Sequence, residues 1–380
     1  MKELPVRFLF VHQGYDLYGS GRTFLQSLRA VRELYPESEI KVILPQKGLL
    51  YPKVDKIADK IEIDSNLLVL RSRKFSTHPL KTLQKLFLCL KKAKREIECH
   101  DITYVNTIVI LDYILASWLC RRNSKVILHI HELPTRFVDR LLFSILINLS
   151  IAWLVFNSKA TKETFFLARK NTFIVHNGVV SPKLYSDPKL YNKQTNILMI
   201  GRLIEKKGQG LLLDALNNLA QPGILRVRIV GDAYATISNY KQKLLEIIKE
   251  YKLDNSVLMV PFVEDPSEHY LWSDIVVVPS IKPEPFGLVA IEAMSYSKPV
   301  IGAAHGGLIE IIEGGASGIL FKPGDAFALA QAIKTYADNR DVLVAHGKSA
   351  RARYEKHFQE SFYLDTLGRM FKEIQLGKSL

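Results

Sequence analysis

The amino-acid sequence predicts two α/β domains, each built on a doubly wound parallel sheet. Three observations support this fold class. The chain has 380 residues, more than one hydrophobic core ordinarily accommodates. Short strands rich in Val, Ile and Leu alternate with amphipathic helices, as in parallel sheets that are covered on both faces. A polar segment with two prolines, residues 180–194, separates two runs of this alternation.

The predicted elements give the domain boundaries. The first half contains strands at residues 6–11, 40–44, 102–106, 126–130, 152–156 and 172–176, with helices at 23–34 and 80–98. The second half contains strands at residues 196–200, 227–230, 257–260, 275–279, 300–301 and 319–321, with a last helix at 359–374. We place the first domain at 1–180, the linker at 181–194, the second domain at 195–358 and a C-terminal helix at 359–380. Packing back on the first domain is one option for that helix.

Composition indicates a soluble globular protein, because 48% of the residues are hydrophobic and 24% are charged. The three cysteines lie far apart in the sequence, which is typical of reduced thiols in a cytoplasmic protein. Residues 1–14 resemble a first strand and not a signal peptide. The uncharged stretch 141–157 predicts a buried helix followed by a buried strand, since it is shorter than the roughly 20 residues of a spanning helix. A segment that dips into a membrane is the alternative interpretation.

The formal net charge is +14, which favours encounters with polyanions. Nine Lys or Arg and no Asp or Glu occur from Arg71 to Arg95, and apolar residues recur there at helical spacing. One interpretation is an ordinary amphipathic helix packed on the sheet. The other is a basic face that rests on anionic lipid, with a peripheral position at the inner membrane face. Nucleic acid is not an expected partner, because no recognition motif or aromatic platform is present.

A candidate ligand site follows the predicted strand 275–279. Gly287 allows a close approach of the backbone, and the helix that opens at Gly287 or Leu288 offers free N–H groups to a diphosphate. Glu284 precedes this helix and Glu292 lies in its second turn. Because a carboxylate repels phosphate, both glutamates are better suited to accept hydrogen bonds from sugar hydroxyls. The simpler alternative is that Glu284 caps the helix and Glu292 faces solvent.

Two cations follow the strand 196–200. Arg202 comes directly after Gly201, and Lys207 lies five residues further on. Both are expected at the carboxyl edge of the second sheet, where they would neutralise a diphosphate. An exposed basic turn is the alternative. The Gly231-Asp232 pair ends the next strand and is weak evidence by itself.

The segment EPFGLVAIE, from Glu284 to Glu292, resembles the two-glutamate motif of retaining GT-B glycosyltransferases of family four. The surrounding residues 279–325, the run GRLIEKKG at 201–208, VGDA at 230–233 and NGV at 177–179 match further landmarks of that family in the same order. The resemblance is strong in the second half and loose in the first. It implies two Rossmann-like domains that face a central cleft.

The resemblance also implies roles for individual residues. Arg202 and Lys207 would hold the donor diphosphate, Glu292 the ribose and Glu284 the transferred sugar. The remaining donor contacts would come from the backbone of Gly287, Leu288 and Val289, from Phe286 in the same motif, and from residues 260–263 with Phe262 beside the nucleobase. Two positions depart from the family, which usually has glycine in place of Pro261 and of Ser297.

The first half offers a second set of candidates. The loop 13–22 contains Gly19 and Gly21, which match the glycine-rich loop that the family places near the donor sugar. A dinucleotide fold is disfavoured, because GxGxxG spacing is absent. His131 with Glu132 ends the predicted strand 126–130 and resembles the family's His-acidic pair, which implies a catalytic contact with the donor sugar or leaving phosphate. His129 lies deeper in the strand and is expected in the core.

The expected function is transfer of a sugar from a UDP- or GDP-sugar to a glycan or lipid-linked acceptor, with retention of configuration. No metal or other cofactor is expected, because no Asp-x-Asp or clustered ligand set occurs, and Arg202, Lys207 and the helix start would stabilise the leaving group. A catalytically silent nucleotide-sugar binder is one alternative. A nucleotide-sugar epimerase or hydrolase of the same shape is another, and it would turn over without an acceptor.

Overall fold

The computed structural model describes residues 5–70, 79–120, 125–168, 172–188, 194–219, 224–233 and 238–375. The side chains of residues 79–85 and 238 lie outside this description. The chain divides into two compact units. The first comprises Met1–His176 with Leu364–Leu380, and the second comprises Asn177–Tyr363. The predicted linker partly falls outside the described residues, which omit 189–193.

The first unit is a parallel sheet with helices. Its strands are β1 (Arg7–Val11), β2 (Glu39–Leu44), β3 (Lys60–Ile63), β4 (Ile102–Val105), β5 (Lys125–Ile130), β6 (Trp153–Phe156) and β7 (Thr172–Ile174). Its helices are α1 (Gly19–Leu34), α2 (Tyr51–Val54), α3 (Pro79–Cys99), α4 (Leu111–Leu119), α5 (Phe137–Leu149) and α6 (Lys159–Glu163). The strand order is β3-β2-β1-β4-β5-β6-β7. The order reverses between β1 and β4, so loops after these strands diverge there.

The second unit repeats this architecture. Its strands are β8 (Thr195–Ile200), β9 (Leu225–Val230), β10 (Val257–Val260), β11 (Ile275–Val278), β12 (Val300–Ala303) and β13 (Gly318–Phe321), in the order β10-β9-β8-β11-β12-β13. A short 3₁₀ turn occupies Glu205–Lys207. The helices are α7 (Gln209–Asn217), α8 (Ser238–Glu250), α9 (Ser267–Trp272), α10 (Leu288–Ser295), α11 (Leu308–Ile311), α12 (Ala326–Asp338), α13 (Arg340–His357) and α14 (Glu360–Gln375), of which α14 continues into the first unit.

The prediction of two doubly wound parallel sheets is confirmed. Strand β3 was not predicted, because its sequence KIEI alternates charged and apolar residues at the sheet edge. Lys41 of β2 forms an ion pair with Glu62 of β3 at 2.8 Å. A charged residue that makes β3 hard to predict from its sequence therefore also links it to β2. Helix α1 begins at Gly19, four residues before the predicted start at residue 23.

The helix and the buried strand predicted in 141–157 are present as α5 and β6, but only one side of α5, which includes Ile147, is buried. Helix α5 presents Leu141, Leu142, Ile145 and Leu149 to solvent. Its inward side carries Ser144, which is 2% exposed. Hydropathy alone cannot show this arrangement, since it reports how apolar a helix is and not which side packs on the sheet.

The C-terminal helix α14 completes the core of the first unit. Phe371 is fully buried, and its ring lies 5.9 Å from that of Phe8 and 6.2 Å from that of Tyr35. Lys125 of β5 donates a hydrogen bond to the carbonyl of Gln375 at 2.9 Å. Among the described residues, no helix combines the length and apolar character needed to cross a membrane.

Candidate functional site

The loops after four neighbouring strands of the second sheet bring the predicted donor residues to one edge. Gly201 and Arg202 follow β8, Asp232 follows β9, Phe262 follows β10, and the segment that contains Glu284 follows β11. Because parallel strands end at the same edge of a sheet, this edge is where a doubly wound unit binds ligands.

An ion pair between Lys207 and Glu284 lies at the centre of this edge. The Lys207 Nζ donates to Glu284 Oε1 at 2.7 Å, and Ser280 Oγ donates to the same oxygen. Burial tends to raise the pKa of Glu284, but the charge of Lys207 and these hydrogen bonds outweigh it, so the pKa lies below its ordinary value. Glu284 is therefore a carboxylate acceptor at neutral pH, beside a cation that suits a phosphate.

Close backbone approach shapes the loop that carries the two cations. Gly208 has a φ of 83°, and a Cβ there would lie 2.0 Å from the Pro279 carbonyl oxygen. Gly231 has a φ of 149°, and a Cβ there would lie 2.0 Å from the Gly201 carbonyl oxygen. These glycines let the loops after β8, β9 and β11 pack against one another. Gln209 donates to the Arg202 carbonyl at 2.9 Å and further orders this loop.

Helix α10 begins where the sequence predicts, directly after Gly287, which has a φ of 123°. The backbone of Leu288 and Val289 lies in its first turn, which leaves N–H groups without intrahelical acceptors, as an anion site requires. Glu292 is only 6% exposed, and Tyr270 donates to its Oε2 at 2.7 Å. The alternative of a solvated Glu292 is wrong. The hydrogen bond from Tyr270 fixes the orientation of the Glu292 carboxylate.

Two aromatic residues in the predicted site have different surroundings. Phe286 is 2% exposed and its ring packs 6.1 Å from that of Phe358, so its side chain belongs to the core. Phe262 is partly exposed, and its backbone N–H donates to Asp232 Oδ2 at 2.9 Å. Phe262 thus lies at the ligand-binding edge, whereas Phe286 supports the loop from below.

In the first unit, a chain of hydrogen bonds links the ends of four strands. His131 Nε2 donates to Asn106 Oδ1 at 2.9 Å, and the Asn157 amide donates to His131 Nδ1 at 3.4 Å. The Asn106 amide donates to His12 Nδ1 at 3.1 Å. These contacts hold both ring nitrogens of His131. A donor contact through either nitrogen, as the resemblance implies, requires that one asparagine contact be replaced.

His12 and His131 of this hydrogen-bonded network are neutral at physiological pH. Burial lowers the pKa of His131 to about 3, with a smaller contribution from His12, and burial lowers the pKa of His12 to about 4. His129 is fully buried in the core, as expected. Glu132 accepts hydrogen bonds from the N–H groups of His131 and Ile108 and from Thr107, but burial outweighs them and raises its pKa.

Gly19 and Gly21 lie in the first turn of α1 rather than in a loop. Gly19 is exposed, and its carbonyl accepts a hydrogen bond from Thr23 at 3.0 Å. Gly21 is buried, and a Cβ there would lie 2.1 Å from the Asp16 carbonyl oxygen. A residue with a side chain at Gly21 would therefore clash with the preceding loop. The backbone at Gly19, in contrast, is accessible to solvent.

Sequence reasoning missed three residues that order the second-unit site. Ser280 contacts Glu284, Tyr270 contacts Glu292, and His305 Nε2 lies 2.8 Å from the Ser280 carbonyl oxygen. The HGG run at 305–307 follows β12 and contains a strand-end histidine, a signal that could have identified His305. Nothing in the local sequence singles out Tyr270, which lies on α9.

Residues 182–353 match the family model described as glycosyl transferases group 1. This match lies within the second unit, which therefore resembles a glycosyl transferases group 1 domain. The match covers β8 to β13 and includes Arg202, Lys207, Glu284 and Glu292.

Two curated relatives each match less than half of the chain. The D-inositol 3-phosphate glycosyltransferase of Geodermatophilus obscurus is 33% identical over 156 residues, which are 39% of this chain and 34% of that protein. The amylovoran biosynthesis glycosyltransferase AmsK of Erwinia amylovora is 29% identical over 186 residues, 47% of this chain and 44% of that protein. The matched part of this chain thus spans less than half the length of either relative.

Solved structures match almost the whole chain. HepE of Anabaena in complex with UDP and glucose has a TM-score of 0.79 at 24% identity and covers 97% of this chain and 99% of its own. A glycosyltransferase from Rickettsia africae has a TM-score of 0.76 at 23% identity, with 98% and 100% covered. At these identities the likeness establishes the fold, which is that of GT-B glycosyltransferases.

The ligand-binding edge of the second unit combines positively charged groups with the carboxylate of Glu284. No group of three or more His, Cys, Asp or Glu side chains suited to a metal ion occurs among those residues. The positive groups at this edge include Lys207, Arg202 and the start of α10, and Lys206 and Lys282 lie beside them. This arrangement can bind a diphosphate and place a carboxylate beside it.

Proposed function

We propose that this protein is a retaining glycosyltransferase that moves a sugar from a UDP- or GDP-sugar to a glycan or lipid-linked acceptor. The single observation that carries the proposal is the Lys207–Glu284 pair at 2.7 Å beside the start of α10. It sets a cation for the diphosphate next to a carboxylate for the sugar hydroxyls. HepE was solved with UDP-glucose, which supports the UDP-sugar over the GDP-sugar.

The proposed roles follow the geometry of the edge. Lys207, Arg202 and the backbone of Gly287, Leu288 and Val289 bind the diphosphate and stabilise the charge that grows on the leaving group. Glu284 orients the transferred sugar, and Glu292, ordered by Tyr270, accepts from the ribose. Phe262 lies beside the base. His131 is neutral and is oriented by Asn106 and Asn157. Its Nε2 donates to the donor sugar after its hydrogen bond to Asn106 Oδ1 is broken.

Surface polysaccharide synthesis is the proposed setting, because one matched relative is an amylovoran biosynthesis glycosyltransferase. The acceptor then lies at or near a membrane, which fits a cytoplasmic protein at the inner membrane face. The basic segment from Arg71 to Arg95 is proposed to contact anionic lipid, although residues 71–78 lie outside the described residues.

Calorimetric titration with UDP, GDP and ADP tests the donor site. We expect one nucleotide to bind and Lys207→Ala to weaken it at least about tenfold, roughly 1.4 kcal/mol. The matched control is Lys334→Ala, an exposed lysine of α12 that pairs with Asp338, and it should leave the affinity unchanged. If no nucleotide binds, or if both variants bind like the wild type, the assignment of Lys207 is wrong.

The proposed transfer is independent of metal ions, because lysine, arginine and the helix start supply the positive charge. Purified protein treated with EDTA should retain its rate of transfer to acceptor within a factor of about two. Loss of turnover that Mg²⁺ or Mn²⁺ restores would contradict this proposal. Turnover of the donor without any acceptor would indicate an epimerase or hydrolase instead.

A further inference from the structure

Helix α5 presents an apolar surface to solvent. Val138, Leu141, Leu142, Ile145 and Leu149 recur at helical spacing and are 43–66% exposed. We call these five residues the α5 face. On an ordinary surface helix the apolar stripe faces the core, and isolated exposed leucines need no explanation. Five on one stripe form a contiguous patch of the kind that marks an interaction site.

Polar side chains on the inward side hold α5 in this orientation. Ser144 accepts from the Phe166 N–H at 3.0 Å, and the Asn148 amide donates to the Phe166 carbonyl at 2.7 Å. Arg140 Nε donates to the Thr164 carbonyl at 2.9 Å. Rotation of the helix to bury the α5 face would break these bonds. The outward apolar stripe is therefore a feature of the folded state.

The exposed apolar surface extends beyond α5. Phe137 is 64% exposed at the start of the helix, and its ring lies 6.2 Å from that of Phe166, which is 49% exposed. Helix α4 packs beside α5, and Trp118 at its end is 60% exposed. An exposed tryptophan next to aliphatic residues is typical of surfaces at a membrane–water boundary.

The positive charge of the protein is concentrated in the unit that carries this face. The first unit contains 31 Lys or Arg against 18 Asp or Glu, a net charge of +13. The second unit contains 21 against 20, a net charge of +1. Arg136 is exposed at the N-terminal end of α5, and Lys91 and Arg95 are exposed on α3, which packs against α4.

From the α5 face and this charge we infer that the first unit docks on the surface of an anionic lipid bilayer, with the α5 face inserted among the headgroups. An apolar stripe combined with basic surroundings is how interfacial helices bind such membranes. A second copy of the chain fits less well, because a contact between two such faces would bring together two units of net charge +13. With 13 residues α5 is about 20 Å long, so it lies in the interface and does not span the bilayer.

The inference deepens the membrane contact proposed above and rests on it for the kind of lipid, because it assigns the insertion to the α5 face. It does not depend on glycosyl transfer, so a failure of the donor-site titration leaves it standing. Flotation with vesicles of phosphatidylglycerol and phosphatidylcholine, compared with phosphatidylcholine alone, tests it. The test variant is Leu142→Gln with Ile145→Gln, and the control variant is Leu245→Gln with Phe327→Gln, two residues of the second unit that are also exposed on helices. Unchanged thermal unfolding shows that both variants fold.

We expect wild type and control to float with the anionic vesicles and not with the neutral ones. The Leu142/Ile145 variant should show a partition coefficient at least about tenfold lower, since insertion scales with buried apolar area. Equal recovery with both lipids, equal loss in both variants, or no loss in the test variant would overturn the inference. A wild-type dimer in sedimentation that only the test variant dissociates would assign the face to a second copy.

Tryptophan fluorescence gives a second test that leaves the α5 face intact. Brominated phospholipid in the anionic vesicles should quench part of the wild-type emission, because Trp118 reaches the acyl chains. Trp118 is 60% exposed, so Trp118→Phe leaves the core intact. This variant should lose the quenched fraction of the emission and should still float with the anionic vesicles. Emission of the wild type that brominated lipid does not quench would overturn the inference.

Discussion

Ser297 illustrates how a single backbone position departs from the usual residue of the family. It follows α10 with a φ of 59°, the left-handed region that glycine adopts without steric cost. The Ser297 N–H donates to the Met294 carbonyl at 3.0 Å, and the Lys298 N–H donates to the Ala293 carbonyl at 3.0 Å. These two bonds form a helix C-cap. The family resemblance gives glycine as the usual residue at this turn. The positive φ of Ser297 explains that preference, because glycine has no Cβ that would clash there.

Ser297→Gly should raise the free energy of unfolding by about 1 kcal/mol, because it relieves the left-handed serine. The serine is fully buried, and its hydroxyl has no hydrogen-bond partner among the described residues. Ser297→Ala removes the hydroxyl and keeps the Cβ, so it is the matched control. Urea unfolding should show a gain for glycine over alanine. A glycine variant no more stable than the alanine variant would contradict the strain argument.

Individual site residues were predictable where a motif carried them, but their partnerships were not. Arg202, Lys207, Glu284 and Glu292 lie where strand ends and the family motif indicated. The direct bond between Lys207 and Glu284 joins residues 77 positions apart and depends on the pairing of β8 with β11. The same holds for His131, because its two asparagine neighbours come from the ends of β4 and β6.

At the scale of elements, α14 packs on the first sheet through one aromatic side chain in particular. Phe371→Ala should lower the free energy of unfolding of the first unit by about 3–5 kcal/mol, the usual cost of a large cavity. Phe371 is fully buried against Phe8 and Tyr35. Phe362, on the same helix, is 43% exposed. Phe362→Ala is the control and should cost less than about 1 kcal/mol. Urea unfolding followed by circular dichroism measures both, and equal losses would contradict the proposed packing role.

Helix orientation marks the limit of what the sequence could predict at this scale. The positions of β5, α5 and β6 follow from apolar runs and turn residues. The burial of α5 does not, because Ser144 and Asn148 satisfy backbone groups of residues 166–168 that a hydropathy pattern does not reveal. Strand β3 was missed for a related reason. Its charged residues Lys60 and Glu62 are tolerated because β3 lies at the edge of the sheet, and the sequence alone does not show which strand lies there.

At the scale of the whole molecule, each unit has its own hydrophobic core, so a ligand of one unit should stabilise that unit first. UDP at about 100 times its Kd stabilises its binding unit by roughly 2.7 kcal/mol. Hydrogen exchange should therefore slow in β8, β11 and α10, while exchange in β1 and β2 changes little. Lys207→Ala at the same UDP concentration is the control. Protection limited to the first unit would place the nucleotide site elsewhere.

The position of α14 has a consequence for synthesis on the ribosome. Residues 364–375 emerge after the whole of Asn177–Tyr363, yet they cover Phe8 and Tyr35 near the start of the chain. Domains commonly fold in the order in which they are translated. Here the second unit can fold while the first sheet still exposes its aromatic patch. During synthesis, Phe8 and Tyr35 therefore stay uncovered by α14 until Phe371 has left the ribosome.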